Sequence, residues 1–278
     1  MAVKLHDRGE EERLLITKFD SFPPALEYMK LIVRRNLADS VTFWTWIWSM
    51  FHELMVSKSQ ELPPEMMKED QRTPPPGIPF GIASARLSGY KEVVDTQEKT
   101  CIRLARELGG DYIPLEEAKA KHPGSWAYLN SYFVDGIHPK PGEDSTLRAG
   151  LWLSGCLVNA EPSKVLEVEQ EMWRFAEKHA KPPYMFRALP FNHAREFFFA
   201  FVILVVGSVD EEKEYITQLR GAYKNFYYEF LEKYGAIMFR FRQDPSFLAV
   251  TGPYGELLRK IKNLIDPNNI MHPGVNLF

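Results

Sequence analysis

Cysteine, long apolar runs and excess charge are scarce in this chain of 278 residues, and each shortage excludes a class of protein. Cys101 and Cys156 are too few for a disulfide framework or a cysteine metal cluster, and we expect no disulfide between them. No apolar run reaches the roughly 18 residues that a membrane-spanning helix needs, so we expect no membrane span. A net charge of −3 gives no reason to expect nucleic acid as a partner.

Short motifs for targeting and catalysis are missing as well. The N-terminus, MAVKLHDRGEEERLL, is charged and lacks the apolar core of a signal peptide, so we expect a cytoplasmic protein. The sequence contains no GxGxxG, P-loop, HExxH, GxSxG or CxxC motif. Arginines and histidines set among aromatic residues are the remaining candidates for chemistry.

The order of apolar patterns predicts an α+β fold, with an antiparallel sheet covered by helices in a ferredoxin-like arrangement. Alternating apolar residues indicate strands, and apolar residues at 3.6-residue spacing indicate helices. A proline-rich surface loop is predicted at 61–79 and an irregular segment at 122–145. The predicted strands are 13–19, 41–48, 81–87, 147–158, 184–189, 196–207 and 236–242. The predicted helices are 23–36, 91–108, 116–121, 163–179, 210–234 and 254–265.

Three tryptophans alternate within the predicted strand 41–48, at Trp44, Trp46 and Trp48. Because successive side chains of a strand point to opposite faces, this spacing places all three indoles on one face. They form either a layer of the core or an aromatic wall for a flat ligand, and the sequence leaves both interpretations open.

The C-terminal segment carries the most specific pattern. An amphipathic helix at 254–265 leads into DPNNIMHPG at 266–274, where Asp-Pro stops the helix and Pro-Gly makes a second turn. This segment resembles the DPN-x-I-x-x-PG close of the C-terminal domain in flavin-linked oxidases of the vanillyl-alcohol oxidase and 4-cresol dehydrogenase type. The segment 14–32, LLITKFDSFPPALEYMKLI, resembles the first strand and helix of the same domain.

The resemblance implies a single substrate-binding (cap) domain over 1–278, whose tail at 266–278 docks toward a flavin domain. In that family the flavin-binding domain precedes the cap, and Met1 lies close to the predicted cap boundary. We therefore expect a separate FAD-binding subunit to hold most of the FAD, non-covalently, and this chain to be inactive alone. The implied activity is oxidation of a small aromatic alcohol, phenol or 2-hydroxy acid by hydride transfer to FAD. The alternative is a non-catalytic ferredoxin-like binding or assembly protein derived from such a cap.

Phe239-Arg240 looks like the Tyr-Arg pair that binds the substrate phenolate in that family, with Phe in place of Tyr. The resemblance therefore implies catalytic roles for Arg240 and Phe239. Alternation along the predicted strand places Arg242 on the same side as Arg240, in the substrate pocket. A guanidinium suits a carboxylate or phenolate because its donors form a fixed planar fork. A pair of surface arginines on an edge strand is the alternative interpretation.

Further residues complete the predicted site. His193, in the turn between two predicted strands, is a candidate catalytic residue, with a solvated turn histidine as the alternative. Arg187 and Trp152 are assigned to the substrate pocket. If the tail reaches a flavin, a histidine in it can tune the charge near the ring. The residues that the resemblance places beside the flavin are Asn268, Asn269 and His272.

A cap that docks a partner is also expected to carry an uncovered apolar surface. Contiguous apolar patches larger than a few hundred Å² are rare on true monomers and mark interaction sites. The candidates for this surface are Trp44, Trp46, Trp48, Trp126, Tyr128, Tyr132 and the tail 270–278.

Overall fold

The computed structural model describes residues 10–56, 62–130, 148–158, 162–205, 210–234, 245–268 and 270. In this part of the chain, seven strands and eight α-helices alternate in an α+β order. The strands are β1 (Glu11–Phe19), β2 (Ser40–Thr45), β3 (Gly81–Gly89), β4 (Asp111–Ile113), β5 (Arg148–Val158), β6 (Tyr184–Phe191) and β7 (Glu196–Val205). The helices are α1 (Phe22–Arg34), α2 (Trp46–Val56), α3 (Lys91–Glu107), α4 (Leu115–Lys121), α5 (Pro123–Asn130), α6 (Pro162–His179), α7 (Lys213–Tyr234) and α8 (Pro245–Ile265).

The described strands form one sheet in the order β4-β1-β3-β2-β6-β7-β5. Every pair of neighbouring strands is antiparallel, so the predicted fold class is confirmed. In the first half, β1, α1, β2, β3, α3 and β4 follow the strand and helix order of a ferredoxin-like unit. The elements β5, α6, β6, β7 and α7 repeat most of this order. The strand predicted at 236–242, which would complete the second unit, lies outside the described residues.

Strand β7 lies between β6 and β5 and is buried on both faces, as its uninterrupted apolar sequence predicts. Its side chains alternate between two cores. Phe199 and Phe201 belong to the first core, which α1, α3, α6 and α7 cover. Val202 and Leu204 belong to the second core, which α2, α4 and α5 cover on the other face of the sheet. The sheet therefore separates two apolar layers.

Helix α6 covers the first core with the face that its sequence predicts. Trp173 of this helix meets the ring of Phe201 edge-on, with ring centroids 5.2 Å apart. Apolar residues at helical spacing form the stripe that a sheet-covering helix needs. The predicted inward residues of α6 are all buried: Val165, Val168, Met172, Phe175 and Ala176.

The predicted strand 41–48 is wrong beyond Thr45, because β2 ends there and α2 begins at Trp46. The chain leaves the sheet where the Trp46 N–H donates to the Phe80 carbonyl at 2.9 Å. Trp48 then packs edge-on against Trp44, with ring centroids 5.1 Å apart. Burial of the indoles in the second core overrides the strand propensity of the segment.

The three tryptophans are therefore core residues, and the expectation that they form an exposed docking surface is wrong. Trp44, Trp46 and Trp48 are at most 2% exposed, and Trp126 is half-buried. Their burial favours the interpretation as a core layer. The side chain of Tyr128, Tyr132 and most of the tail at 270–278 lie outside the described part of the chain.

Helix α5 occupies part of the segment 122–145 that the sequence predicts to be irregular. Its start is capped from α2, because Glu53 accepts hydrogen bonds from the N–H groups of Gly124 (2.9 Å) and Ser125 (2.7 Å). A Cβ at position 124 would lie 2.6 Å from the Glu53 carboxylate, so only glycine fits. The cap is 71 residues away in sequence, and no local pattern could reveal it.

The described part of the proline-rich loop, 62–80, contains a 3-10 turn at Pro64–Met67. It also contains a second turn, in which the Ile78 N–H donates to the Pro75 carbonyl at 3.0 Å. The loop contacts both cores. The Trp46 indole N–H donates to the Gln71 carbonyl at 3.0 Å in the second core. The Arg72 guanidinium lies 5.6 Å from the ring centroid of Trp173, in the first core.

Among the described helices, none combines the length and the apolarity that crossing a membrane requires. The same residues hold no group of three or more His, Cys, Asp or Glu side chains placed to bind a metal ion. Cys101 is a buried free thiol in α3, and burial raises its pKa to about 12. Its reactivity as a thiolate is therefore suppressed at neutral pH.

Glu169 of α6 provides a pH test of the first core. Its Oε1 accepts a hydrogen bond from the Trp173 indole at 2.6 Å. Burial raises the pKa of Glu169 to about 7, although the Trp173 hydrogen bond and the Arg72 cation lower it. Because the folded state binds this proton more tightly than the unfolded chain, the contribution of Glu169 to stability falls as pH rises from about 4.5 to 7.

We expect the wild-type chain to gain roughly 2 kcal/mol of unfolding free energy relative to Glu169→Gln when the pH falls from 7 to 5. Urea titrations of both proteins at the two pH values measure this difference. A difference that does not change with pH would show that the Glu169 carboxyl titrates as an exposed one.

Candidate functional site

Arg187 projects from β6 toward the second core. It lies opposite Trp44 of β2 and Ala200 of β7. Because side chains alternate along β6, Met185 and Arg187 face the second core while Phe186 faces the first. The residue is 8% exposed, and arginine is seldom buried to this extent unless it has partners.

The guanidinium of Arg187 lies close to two aromatic rings. Its Cζ is 4.7 Å from the ring centroid of Trp44 and 5.7 Å from that of Phe198. These distances fit cation–π contacts, which strengthen when water is excluded. A planar cation held in this way is suited to bind an anionic group such as a carboxylate or phenolate.

His52 of α2 belongs to the same group of side chains. Its ring is fully buried, with the centroid 5.2 Å from that of Trp44 and 5.6 Å from that of Trp48. Burial, and to a smaller extent the Arg187 cation, lower the pKa of His52 to about 3. The imidazole is therefore neutral at pH 7. We call Arg187, His52, Trp44, Trp48 and Phe198 the Arg187 cluster.

The sequence analysis missed His52 because the strand predicted at 41–48 stopped before it. The spacing of four residues between Trp48 and His52 is the helical pattern that could have revealed it. Its burial, however, depends on the packing of α2 against the sheet, which no local pattern shows.

Two hydroxyl groups extend the polar character of this face. Thr42 of β2 and Ser84 of β3 are register partners, and both are buried. Their positions place them on the same face as Trp44. Among the described residues, the Ser84 hydroxyl has no hydrogen-bond partner. Because a buried unpaired hydroxyl costs roughly 1–3 kcal/mol, Ser84 is a candidate to bond a ligand or a water molecule.

Among the predicted site residues that the structure describes, Arg187 alone lies in the Arg187 cluster. His193 lies in the exposed turn between β6 and β7, with φ of 56°, and is not part of the Arg187 cluster. Trp152 lies on β5 opposite Val202, separated from β6 by β7. Asn268 follows α8 and is exposed. The predicted site residues outside the described part of the chain are Phe239, Arg240, Arg242, Asn269 and His272.

The N-termini of α1, α5, α6 and α8 do not fit the pyrophosphate of a dinucleotide such as FAD. Backbone N–H groups of a glycine-rich loop at a helix N-terminus usually hold a pyrophosphate. Proline in the first turn of α1, α6 and α8 removes such donors, and Glu53 already accepts the first free amides of α5.

No protein-family model and no curated protein sequence matches this chain. Solved structures do match it. The chain is similar to p-cresol methylhydroxylase with substrate bound, with a TM-score of 0.72 and 18% identity over 96% of this chain and 53% of that chain. It is also similar to the isoeugenol complex of 4-ethylphenol oxidase from Gulosibacter chungangensis, with a TM-score of 0.70 and 11% identity over 95% and 53% of the two chains. A third similar structure is alkyldihydroxyacetonephosphate synthase, with a TM-score of 0.51 and 11% identity over 94% and 44%.

Identities this low show the fold alone. The chain spans about half the length of the first two structures that it matches. Its antiparallel sheet with covering helices has the fold of the cap domain in FAD-linked oxidases. The fold that the segment 266–274 led us to expect is therefore confirmed.

The buried histidine gives a second pH test. Because the folded state disfavours protonated His52, its contribution to stability is present above about pH 6.5 and is lost as the pH falls toward 3. Relative to His52→Gln, we expect the wild-type chain to lose roughly 2 kcal/mol of unfolding free energy between pH 7 and pH 5. Urea titrations measure the difference, and a variant whose pH profile parallels that of the wild type would contradict it.

Proposed function

We propose that this chain is the substrate-binding cap of a flavin-dependent oxidoreductase in the cytoplasm. The observation that carries the proposal is the buried Arg187 cation beside the rings of Trp44 and Phe198. The shared fold supports it, because two of the similar proteins are named for p-cresol and 4-ethylphenol. The proposed reaction is oxidation of a small aromatic alcohol or phenol, or of a 2-hydroxy acid, by hydride transfer to FAD.

In this proposal Arg187 holds the substrate oxygen as negative charge develops on it. A fixed cation stabilises such charge without reorganisation, and more strongly where water is excluded. The neutral His52 leaves Arg187 as the charged group of the cluster. The Ser84 hydroxyl, on the same face, is available for a further hydrogen bond. These side chains therefore favour a planar substrate that carries one oxygen anion.

The residues that resemblance assigned keep their roles within the proposal. Arg240 and Phe239 are a further catalytic pair, Arg242 and Trp152 line the substrate pocket, and His193 is a candidate acid or base. The FAD is bound non-covalently and mainly by a separate FAD-binding subunit, since the N-termini of α1, α5, α6 and α8 do not fit its pyrophosphate. The residues proposed to contact it are Asn268, Asn269 and His272.

Helix α8 offers a surface on which that subunit can dock. The apolar residues that the sequence places on one face of this helix are exposed, and Leu264 reaches 82%. An exposed apolar stripe of this kind marks a contact site. The start of the tail is fixed beside it, because Asp266 Oδ1 accepts a hydrogen bond from the Ile270 N–H at 2.7 Å. The exposed apolar residues are Leu257, Ile261, Leu264, Ile265 and Ile270.

The role of Arg187 can be tested in the complex purified from its native extract, provided that the complex shows a flavin absorption spectrum. We expect Arg187→Met to lower turnover by about two orders of magnitude, because one preorganised donor is lost. Arg187→Lys should recover only part of this, since an ammonium lacks the planar fork. Arg195→Met, in the exposed turn of the same hairpin, is the matched control and should retain turnover.

Steady-state kinetics and thermal unfolding are measured on each variant, so that a variant that does not fold is distinguished from a folded variant that has lost turnover. Turnover within twofold of wild type in a folded Arg187→Met complex would remove Arg187 from the proposed site. If Arg240→Ala alone abolishes turnover, the anion-binding role belongs to Arg240. A purified complex without flavin or turnover would favour the binding or assembly protein.

The proposed docking of the FAD-binding subunit on α8 leads to a separate prediction. Leu264→Glu should weaken association with the FAD-binding subunit by at least about tenfold, because a charge is buried without a partner. Asn263→Glu adds the same charge beside the apolar stripe and should change affinity little. Calorimetric titration of each variant with the purified subunit measures the effect. Equal affinities for the two variants would exclude this face as the interface.

A further inference from the structure

A cavity lies away from the Arg187 cluster, between the sheet and the helices α2, α4 and α5. It has a volume of about 70 Å³. A single buried water molecule needs only about 10–15 Å³, so the cavity is several times larger than one water. Its main walls are Ile16, Ile82 and Ile113 from the sheet and Trp46, Trp126 and Leu129 from the helices.

The walls of this cavity carry no lysine, arginine, aspartate or glutamate side chain among the described residues, and the one histidine that lines it, His122, is exposed to solvent. A charged ligand in the buried part of the cavity would therefore lose its hydration without gaining an ionic partner. Water is also held poorly, because a buried water molecule needs two to four polar partners. Two indoles among the aliphatic side chains favour an uncharged ring as the occupant.

One buried polar group on the wall has no partner among the described residues. Ser125 Oγ donates to the Ser49 carbonyl at 2.7 Å, and the Trp46 indole donates to the Gln71 carbonyl. The Trp126 indole N–H, in contrast, is buried and has no acceptor among the described residues. Because a buried indole N–H normally finds an acceptor, an oxygen atom of a ligand can supply it.

Helix α2 separates this cavity from the Arg187 cluster. Trp48 and His52 contact the ring of Trp44 on one side of the helix. Trp46 and Ser49 line the cavity on another side. The cavity is therefore a site of its own, and it does not depend on the proposed oxidoreductase function.

We infer that this cavity binds a small uncharged aromatic molecule with one hydrogen-bond acceptor. The ring lies between the sheet isoleucines and the two indoles, and its oxygen accepts the hydrogen bond of Trp126. The Glu53 cap on α5 holds the wall that carries Trp126. The site is thus built by tertiary contacts and is present without a ligand.

Benzyl alcohol, toluene and benzoate test the inference, because they share a ring and differ in oxygen and charge. Calorimetric titration uses the full chain without flavin or a partner. We expect benzyl alcohol to bind with a stoichiometry of about one and toluene to bind about three- to tenfold more weakly, the effect of one hydrogen bond. Benzoate should bind at least about tenfold more weakly than benzyl alcohol.

Two variants locate the site. Trp126→Phe removes the N–H donor together with part of the ring, so the ratio of the two affinities is the readout: benzyl alcohol should bind no better than toluene to this variant. Ala118→Phe fills the cavity and should weaken both ligands by at least about tenfold. Trp173→Phe, in the first core on the other face of the sheet, is the control and should bind all three ligands as wild type does.

Absence of saturable binding of benzyl alcohol and toluene to the wild-type chain would overturn the inference. So would wild-type affinity in an Ala118→Phe chain that circular dichroism shows to be folded. If Ala118→Phe does not fold, Trp126→Phe decides, and an unchanged preference for benzyl alcohol over toluene overturns the assignment. Because no turnover is measured, failure of the oxidoreductase proposal leaves these outcomes unaffected.

Discussion

Burial of one antiparallel sheet on both faces is the constraint from which the rest of the structure follows. Each central strand must divide its side chains between two cores. Strand β7 does so with Phe197, Phe199, Phe201 and Ile203 on one face, and with Val202 and Leu204 on the other. Arg187 is the exception on β6, because it places a cation where this alternation demands an apolar residue. Cation–π contacts with the indole of Trp44 and the ring of Phe198 stabilise the charge at that position.

The elements that the sequence predicts well are those whose stability depends on their own periodicity. The β6–β7 pair and the inward face of α6 are examples, since alternation and 3.6-residue spacing are local properties. The predictions fail where contacts between residues far apart in sequence determine the secondary structure. Trp46 begins a helix because of its contact with Phe80, and α5 forms because Glu53 caps it.

The same distinction holds for the candidate site. Arg187 could be chosen from the sequence as a pocket residue, but its aromatic surroundings depend on which strands lie side by side. His52 and Ser84 join the site only through packing, so no spacing in the sequence brings them near Arg187. Helix α2 also contributes to both regions, with Trp48 and His52 in the Arg187 cluster and Trp46 on the wall of the apolar cavity. Substitutions on this helix therefore affect both regions.

The cap that Glu53 provides has a consequence for the order in which the chain folds. An isolated helix of eight residues is unstable in water, because nucleation costs more than so few hydrogen bonds return. The capping carboxylate comes from α2, so α5 gains its stability only once α2 has packed on the sheet. We therefore expect the wall formed by Trp126 to assemble only after α2 has packed on the sheet.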